Sequence, residues 1–255
     1  MIAGLILLAP GLMQAATSEE RGLEIATEIE RRDIGFHDFK AAMTMLLKNR
    51  QGEESLRNMR NQSLEMANDG DKTLIIFDEP RDVKGTALLS FSHKTGDDDQ
   101  WLYLPALKRV KRIASRNKSG PFMGSEFAYE DISSQEVEKY TYKYIGEREH
   151  DGIACFLLER YPIDSNSGYT RQQVWVDKQR YIPLKIDYYD RKNSLLKTLV
   201  LRGYQQYLDK YWRADEMYME NHQTGKSTLL SWKKYDFGTG LTEADFNKNS
   251  LKRAR

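Results

Sequence analysis

Residues 38–49 (DFKAAMTMLLKN) alternate with a period of two. Phe39, Ala41, Met43, Met45 and Leu47 share one parity, and Lys40, Ala42, Thr44, Leu46 and Lys48 share the other. One strongly apolar face at that period predicts a half-buried β-strand. The polar turn NRQGE (49–53) ends it. Similar runs follow at 55–66, 72–79, 86–94 and 100–104, and the rhythm resumes at 140–149, 153–162, 172–178, 181–190, 195–204, 211–220 and 227–237. Turn-forming clusters such as HDG (150–152), DRKNS (190–194) and HQTGK (222–226) separate them. A strand about every ten to twelve residues predicts a mainly β, antiparallel sandwich or barrel of about eleven strands with hairpin connections.

Two segments depart from this rhythm. Thr17 with Glu20 three residues on forms a capping-box pattern, and Ile25, Ala26 and Ile29 then mark one face of a short helix that ends near Gly35. Residues 114–135 show no sustained alternation. Gly120, Pro121 and Gly124 preclude a regular strand, and Ser119 and Ser125 add turn chemistry. Phe122, Met123, Phe127 and Tyr129 are the wrong composition for a disordered tract, so this irregular segment must cover an apolar surface. The C-terminal LTEADFNKNSLKRAR (241–255) reads as a short helical turn capped by Thr242 and a basic tail. No linker interrupts the chain, which predicts one domain over 17–255.

Charge changes the picture locally. Lys108, Arg109, Lys111, Arg112, Arg116 and Lys118 form a dense basic run, yet the 255 residues carry 39 Lys and Arg against 38 Asp and Glu. A nucleic-acid-binding domain shows a basic excess overall, so no nucleic-acid partner is expected. The run is placed to meet anionic headgroups or an acidic partner. The plainer alternative is a solvated strand paired with Glu126, Glu130, Asp131 and Glu136.

The start, MIAGLILLAPGLM (1–13), is apolar but too short to span a bilayer, and small residues precede a polar stretch. It has the form of a secretory signal peptide over 1–16, which places the mature chain in a bacterial periplasm. No cysteine ends the leader, so acylation of the protein itself is not expected. The single Cys155 sits in an apolar strand and reads as a small buried hydrophobe.

Catalytic and metal patterns are weak. TGKST (224–228) lacks the earlier glycine of a phosphate loop and reads as a hairpin turn. The DDD at 97–99 lacks the spacing of a calcium loop and reads as a solvated tip. His37, His93, His150 and His222 have no ligand spacing, so neither a metal nor a cofactor is expected. Glu126, Glu130 and Asp131 could pair as acids in a cleft, but acids in a loop are more often solvated or ion-paired.

Three blocks carry a resemblance: DKTLIIFDEPRDVKGTALL (71–89), DDQWLYLPALKRVKRI (98–113) and NKSGPFMGSEFAYEDI (117–132). Together with the leader, amphipathic helix and apolar loop, they resemble the LolA-like outer membrane lipoprotein-sorting family, related to the LolA/LolB-type carriers. The similarity extends over nearly the whole mature chain and is of the branch found alongside RND-type exporters. The resemblance implies a curved, incompletely closed antiparallel β-barrel around a hydrophobic cavity, an N-terminal helix, and a loop and helix lid. It implies lipid or lipoprotein cargo, an inner-membrane RND-type exporter as partner, transient contact with the membrane surface, and no catalytic residues.

On that basis the expected cavity and lid residues are Phe39, Met43, Met45, Leu47, Ile75, Phe77, Trp101, Tyr103, Phe122, Met123 and Phe127. The basic run is the expected headgroup or partner contact. Methionines suit a cavity that accepts variable acyl shapes, although a strand face of this kind is also how an ordinary core looks. A carrier, a non-releasing accessory subunit of an envelope transporter, and an enzyme acting on a lipid all remain compatible with the residues.

Overall fold

The computed structural model describes residues 16–253, so the leader segment lies, but for its last residue, outside the described residues. Helix α1 spans Ser18–Asp33. Its capping box forms as the sequence predicts: Thr17 Oγ1 accepts from Glu20 N–H, and Glu20 accepts from Thr17 N–H. Six strands follow: β1 (Asp38–Lys48), β2 (Glu54–Leu64), β3 (Lys72–Glu79), β4 (Ala87–Phe91), β5 (Asp99–Leu104) and β6 (Arg109–Ile113). An irregular stretch holds the short helix α2 (Tyr129–Ile132). Then come β7 (Tyr140–His150), β8 (Ile153–Pro162), β9 (Tyr169–Asp177), β10 (Pro183–Asp190) and β11 (Leu195–Arg202). A separate hairpin, β12 (Gln205–Tyr207) with β13 (Tyr211–Arg213), precedes β14 (Glu216–Asn221), β15 (Lys226–Phe237) and helix α3 (Lys248–Arg253).

Thirteen strands form one antiparallel sheet, in the order β6-β5-β4-β3-β2-β1-β15-β14-β11-β10-β9-β8-β7. The expectation was about eleven. The basic stretch Arg109–Ile113 adds an edge strand, and of the run at 211–220 only β14 joins the sheet, while β13 pairs with β12. The sheet is two meanders joined where β1 pairs with β15, with Met43 opposite Trp232 and Met45 opposite Leu230. Its two edges are β6 and β7, so it is not closed.

The burial pattern shows that it is strongly curved. Val174 and Val176 of β9 belong to the same buried cluster as Ile75 and Phe77 of β3. In a flat sheet those strands would lie about 34 Å apart, at roughly 4.8 Å per strand. Only a sheet wrapped on itself brings them together. Its concave side holds the main core, to which α1 contributes Ile25. On the convex side of β3–β5, Leu74, Ile76, Leu89 and Trp101 pack under Phe246 and Leu251 from the C-terminal segment. A third cluster, Phe36, Phe39, Ala41 and Tyr211, sits beneath the β12–β13 hairpin.

Helix α1 rests on the β7 edge. A Cβ at Gly22 would stand 2.9 Å from the backbone nitrogens of Lys143 and Tyr144, so glycine is what permits this close approach. The helix thereby covers one sheet edge that would otherwise be free to pair. The other edge, β6, carries Arg109, Lys111 and Arg112, all exposed.

Candidate hydrophobic binding site

Strands β6 and β7 are consecutive along the chain but lie at opposite edges of the sheet. The segment joining them, 114–139, must therefore cross the open side of the curved sheet. It does so as a strap of short helical turns without continuous regular structure. Polar bonds fasten it along its course. Arg57 Nη1 of β2 donates to Met123 O at 2.5 Å, and Gln100 Nε2 of β5 donates to Tyr129 O at 3.0 Å. Glu126 N–H donates to Thr228 Oγ1 of β15 at 3.0 Å, and Asn221 Nδ2 donates to Glu126 Oε2 at 2.7 Å.

The strongest fastening is ionic. Lys197 Nζ of β11 donates to Asp131 Oδ2 at 2.6 Å and to Glu126 O at 2.8 Å. Tyr169 O–H donates to Asp131 Oδ1 at 2.9 Å. The ammonium also lies 5.2 Å from the ring centres of both Tyr169 and Tyr188. Burial, and after it the Asp131 charge, pushes both phenols well above their usual range. Both therefore stay neutral, and Tyr169 serves as a donor to Asp131. Beside them, Glu130 accepts from Ser167 Oγ at 2.7 Å and from Gly168 N–H at 2.8 Å. Burial, then the neighbouring Asp131 charge, raises the Glu130 carboxyl above the ordinary range.

What the strap carries inward is apolar. Phe122 and Phe127 are fully buried in the main core. Phe122 lies 5.9 Å from the Phe77 ring and 5.7 Å from the Tyr129 ring. The next residue, Met123, has φ +50°, a left-handed turn that reverses the chain after Phe122 has entered. Met43, Met45, Met59 and Met219 are buried around this point and Met123 and Met217 pack against them, so six of the nine methionines of the chain line one interior. Flexible thioether side chains let such a lining change shape at low cost.

The predicted cavity residues separate into two groups. Met43, Met45, Ile75, Phe77, Phe122 and Phe127 meet in the concave core, with Leu47 and Met123 packed against it. Phe39, Trp101 and Tyr103 do not join them. Phe39 belongs to the aromatic cluster under the β12–β13 hairpin, and Trp101 and Tyr103 face the convex side. On β5 it is Leu102 and Leu104 that point into the concave core. Strand parity is visible in QWLYL, but which parity faces inward is not, because both faces of β5 are apolar and covered. Met59 and Met219 lie in strands whose alternation is diluted by polar residues, so only the pairing of Met59 with Met43 and Phe77, and of Met219 with Leu199, reveals their place.

The basic run behaves unevenly. Arg112 pairs with Asp99 at 2.6 Å, and Lys118 is ion-paired with Asp164. Among the described residues, no carboxylate comes within ion-pair distance of Lys108, Arg109, Lys111 or Arg116, and all four are exposed. The acids expected to neutralise the run are occupied elsewhere or set apart: Glu126 with Asn221, Glu130 with the 167–168 turn, Asp131 with Lys197. Asp97, Asp98 and Asp99, expected as a solvated tip, are instead anchors. They hold Ser115, Lys139 and Arg112 in turn. Next to the basic hairpin, Leu107 is an exposed large apolar residue.

Two grooves adjoin the interior. One of about 920 Å³ runs between the strap and the turns at 190–197 and 221–226, lined by Glu126, Tyr169, Arg191, Lys192, Lys197 and Lys226 among others. The other, about 530 Å³, lies along α1 and is lined by Leu23, Ile25, Thr27 and Tyr181 with charged residues at its rim. An apolar interior under a strap, with a basic groove between the strap and the 190–197 turn at its margin, is suited to holding an amphiphile with its tail inside and its anionic end outside.

A family model described as an uncharacterized protein matches residues 69–253. A domain from Vibrio parahaemolyticus that carries the name of an outer membrane lipoprotein-sorting protein is 62% identical, with a TM-score of 0.91 over 92% of this chain and 100% of that one. A DUF1329 family protein from Desulfovibrio piger is 32% identical, with a TM-score of 0.88 over 92% of this chain and 100% of that one. A LolA superfamily protein from Nitrosomonas europaea, at 21% identity and a TM-score of 0.72 over 92% of this chain and 100% of that one, shares the fold. No curated protein matches the chain significantly. With an open curved sheet, a capped N-terminal helix and a strap across its mouth, the chain belongs to the DUF1329 family and has the fold of the LolA superfamily protein.

Proposed function

We propose that this protein is a periplasmic carrier which takes the acyl chain of a lipid or lipoprotein into its concave apolar interior and moves it between the inner and outer membranes. The observation that carries this reading is the plug. The residues filling the open side of the sheet are Phe122, Met123 and Phe127, presented by an irregular strap rather than by a packed helix or second sheet. Replacing those rings by an acyl chain exchanges one apolar occupant for another. The chain itself gains about 0.8 kcal/mol per CH₂ removed from water. Opening then costs chiefly the polar fastenings of the strap, which can be remade around the cargo. The name carried by the relative from Vibrio parahaemolyticus supports the same class of cargo. Chemistry on the cargo is not part of this reading.

Native mass spectrometry of protein prepared from a cell envelope tests it. Mass additions equal to a phospholipid or an acylated peptide are expected, together with saturable uptake of a fluorescent fatty acid. Protein that carries neither and takes up no probe would overturn the reading.

A second reading rests on β6. Its unneutralised edge cations and the exposed Leu107 favour docking on an anionic surface or an acidic face of an inner-membrane RND-type exporter. In that reading the protein is an accessory subunit that need not release cargo. Stable co-purification with the exporter, unaffected by loss of the plug, would favour it over a free carrier.

A further inference from the structure

Away from the apolar interior, three carboxylates converge. Glu30 comes from α1, and Glu136 and Glu138 come from the end of the strap just before β7. One oxygen from each lies within 4.8 Å of the others. They are graded in depth: Glu138 is exposed, Glu30 half-buried and Glu136 buried, at 7% exposure. Glu136 Oε1 is sealed from solvent and has no hydrogen-bond partner among the described residues. A buried carboxylate oxygen left in that state is unfavourable unless a donor or a cation meets it.

The protein supplies little to meet it. Lys94 Nζ stands 3.8 Å from Glu30, and no Lys, Arg or His of the described residues is within ion-pair distance of Glu136 or Glu138. Burial, and after it the Glu136 charge, pushes the Asp71 carboxyl up to about 7, so Asp71 is only partly charged at neutral pH. Space has been kept as well. A Cβ at Gly70 would stand 2.7 Å from Glu136 Oε1, so only glycine leaves the carboxylate its place.

We propose that Glu30, Glu136 and Glu138 form a calcium-binding site that ties helix α1 to the end of the strap. The donor set is all oxygen and anionic, which selects a hard cation over zinc or copper. Ca–O distances of about 2.3–2.6 Å allow two ligands on one ion to be up to about 5 Å apart, which accommodates oxygens that all lie within 4.8 Å of one another. Magnesium dehydrates reluctantly and is held less readily by an all-protein donor set. Waters and backbone carbonyls complete the shell. Because two ligands belong to the strap and one to the helix, calcium holds both elements against the body of the sheet. Nearby, Ser134 N–H already donates to Ser92 Oγ at 3.0 Å, so the ion reinforces an existing point of attachment. The strap would then open more readily where calcium is scarce.

Terbium, a calcium-sized ion that luminesces when excited through a nearby aromatic ring, reads the site directly. Tyr142 is placed to sensitise it, since its hydroxyl donates to Val137 O at 3.2 Å between the two strap ligands. In the mature protein we expect sensitised emission that calcium competes away, and a rise in Tm with calcium up to the millimolar range of extracellular sites. Glu138→Gln should weaken terbium binding at least about tenfold, because a ligand charge is lost. In EDTA the same variant should melt at or above the wild-type temperature, since it relieves repulsion among acids. Glu136→Gln should abolish the calcium response. An unchanged terbium affinity in Glu138→Gln, no calcium-dependent rise in wild-type Tm, or a Glu138→Gln variant destabilised in EDTA would each overturn the site. The readouts need no lipid, so failure of the carrier reading would leave them intact.

Discussion

Lys197 of β11 and Asp131 of the strap form an ion pair at 2.6 Å with both side chains only 4% exposed. Among the described residues it is the most buried ion pair between the strap and the sheet. Removing one partner of such a pair strands a buried charge, which costs about 3–5 kcal/mol. Lys197→Met should therefore lower stability by about that amount in denaturant titration. Adding Asp131→Leu should restore much of it, because the stranded carboxylate is gone. With the fold recovered and the clamp absent, uptake of a fluorescent fatty acid by the double variant should be faster than in the wild type. An uptake rate equal to wild type would mean that the clamp does not control access.

Phe122→Ala tests the plug. Deleting a fully buried phenyl group from a packed core costs about 3–5 kcal/mol. If that ring holds the place of an acyl chain, fatty acid should raise the Tm of the variant by more than it raises that of the wild type. An equal shift in both would make Phe122 ordinary core.

The basic edge makes a prediction of the opposite kind. Replacing Lys108, Arg109, Lys111 and Arg116 by Gln should leave Tm nearly unchanged, since exposed charges contribute little to stability. Sedimentation with anionic vesicles should fall sharply, and wild-type sedimentation should weaken as salt rises, with screening over about 10 Å at 0.1 M. If the charges serve only to protect a sheet edge, vesicle binding will not change and the variant will instead associate with itself.

Glu130 gives the strap a pH signature. Its folded carboxyl sits above the ordinary range, so between the unfolded and folded values the native state holds more proton than the unfolded chain. Its contribution to stability is then greatest below the ordinary glutamate range and is lost as pH rises through the raised value. Glu130→Gln keeps an acceptor for Gly168 N–H and removes the titration. Wild type minus variant stability, measured from pH 4 to 8, should decline as pH rises; a flat or rising difference would contradict this environment.

Gly22→Ala separates helix propensity from packing. In an exposed helix the change would stabilise by about 1 kcal/mol. Here the new methyl would meet the β7 backbone at 2.9 Å, and overpacking of this kind costs about 1–3 kcal/mol. A net loss of stability in thermal melts is expected.

Much of this molecule is legible along the chain. The period-two face of residues 38–48, the Thr17–Glu20 cap, the turns and the irregular 114–135 segment depend on nearest-neighbour chemistry, and each appears where its local signal stands. The apolar residues of the strap also announced that it covers something. Tertiary structure decided the rest. Which parity of β5 faces inward depended on the C-terminal Phe246 and Leu251 covering the other side, so Trp101 and Tyr103 turned away from the interior while Leu102 entered it. That β6 and β7 became opposite edges, forcing the strap across the mouth, followed from β1 pairing with β15 nearly two hundred residues later. The Lys197–Asp131 clamp and the Glu30, Glu136 and Glu138 cluster join residues far apart in the chain. Local periodicity determines what a segment can become, because backbone geometry repeats every few residues. Which segments meet is settled by the curvature and closure of the whole sheet, and so the binding surfaces belong to the fold.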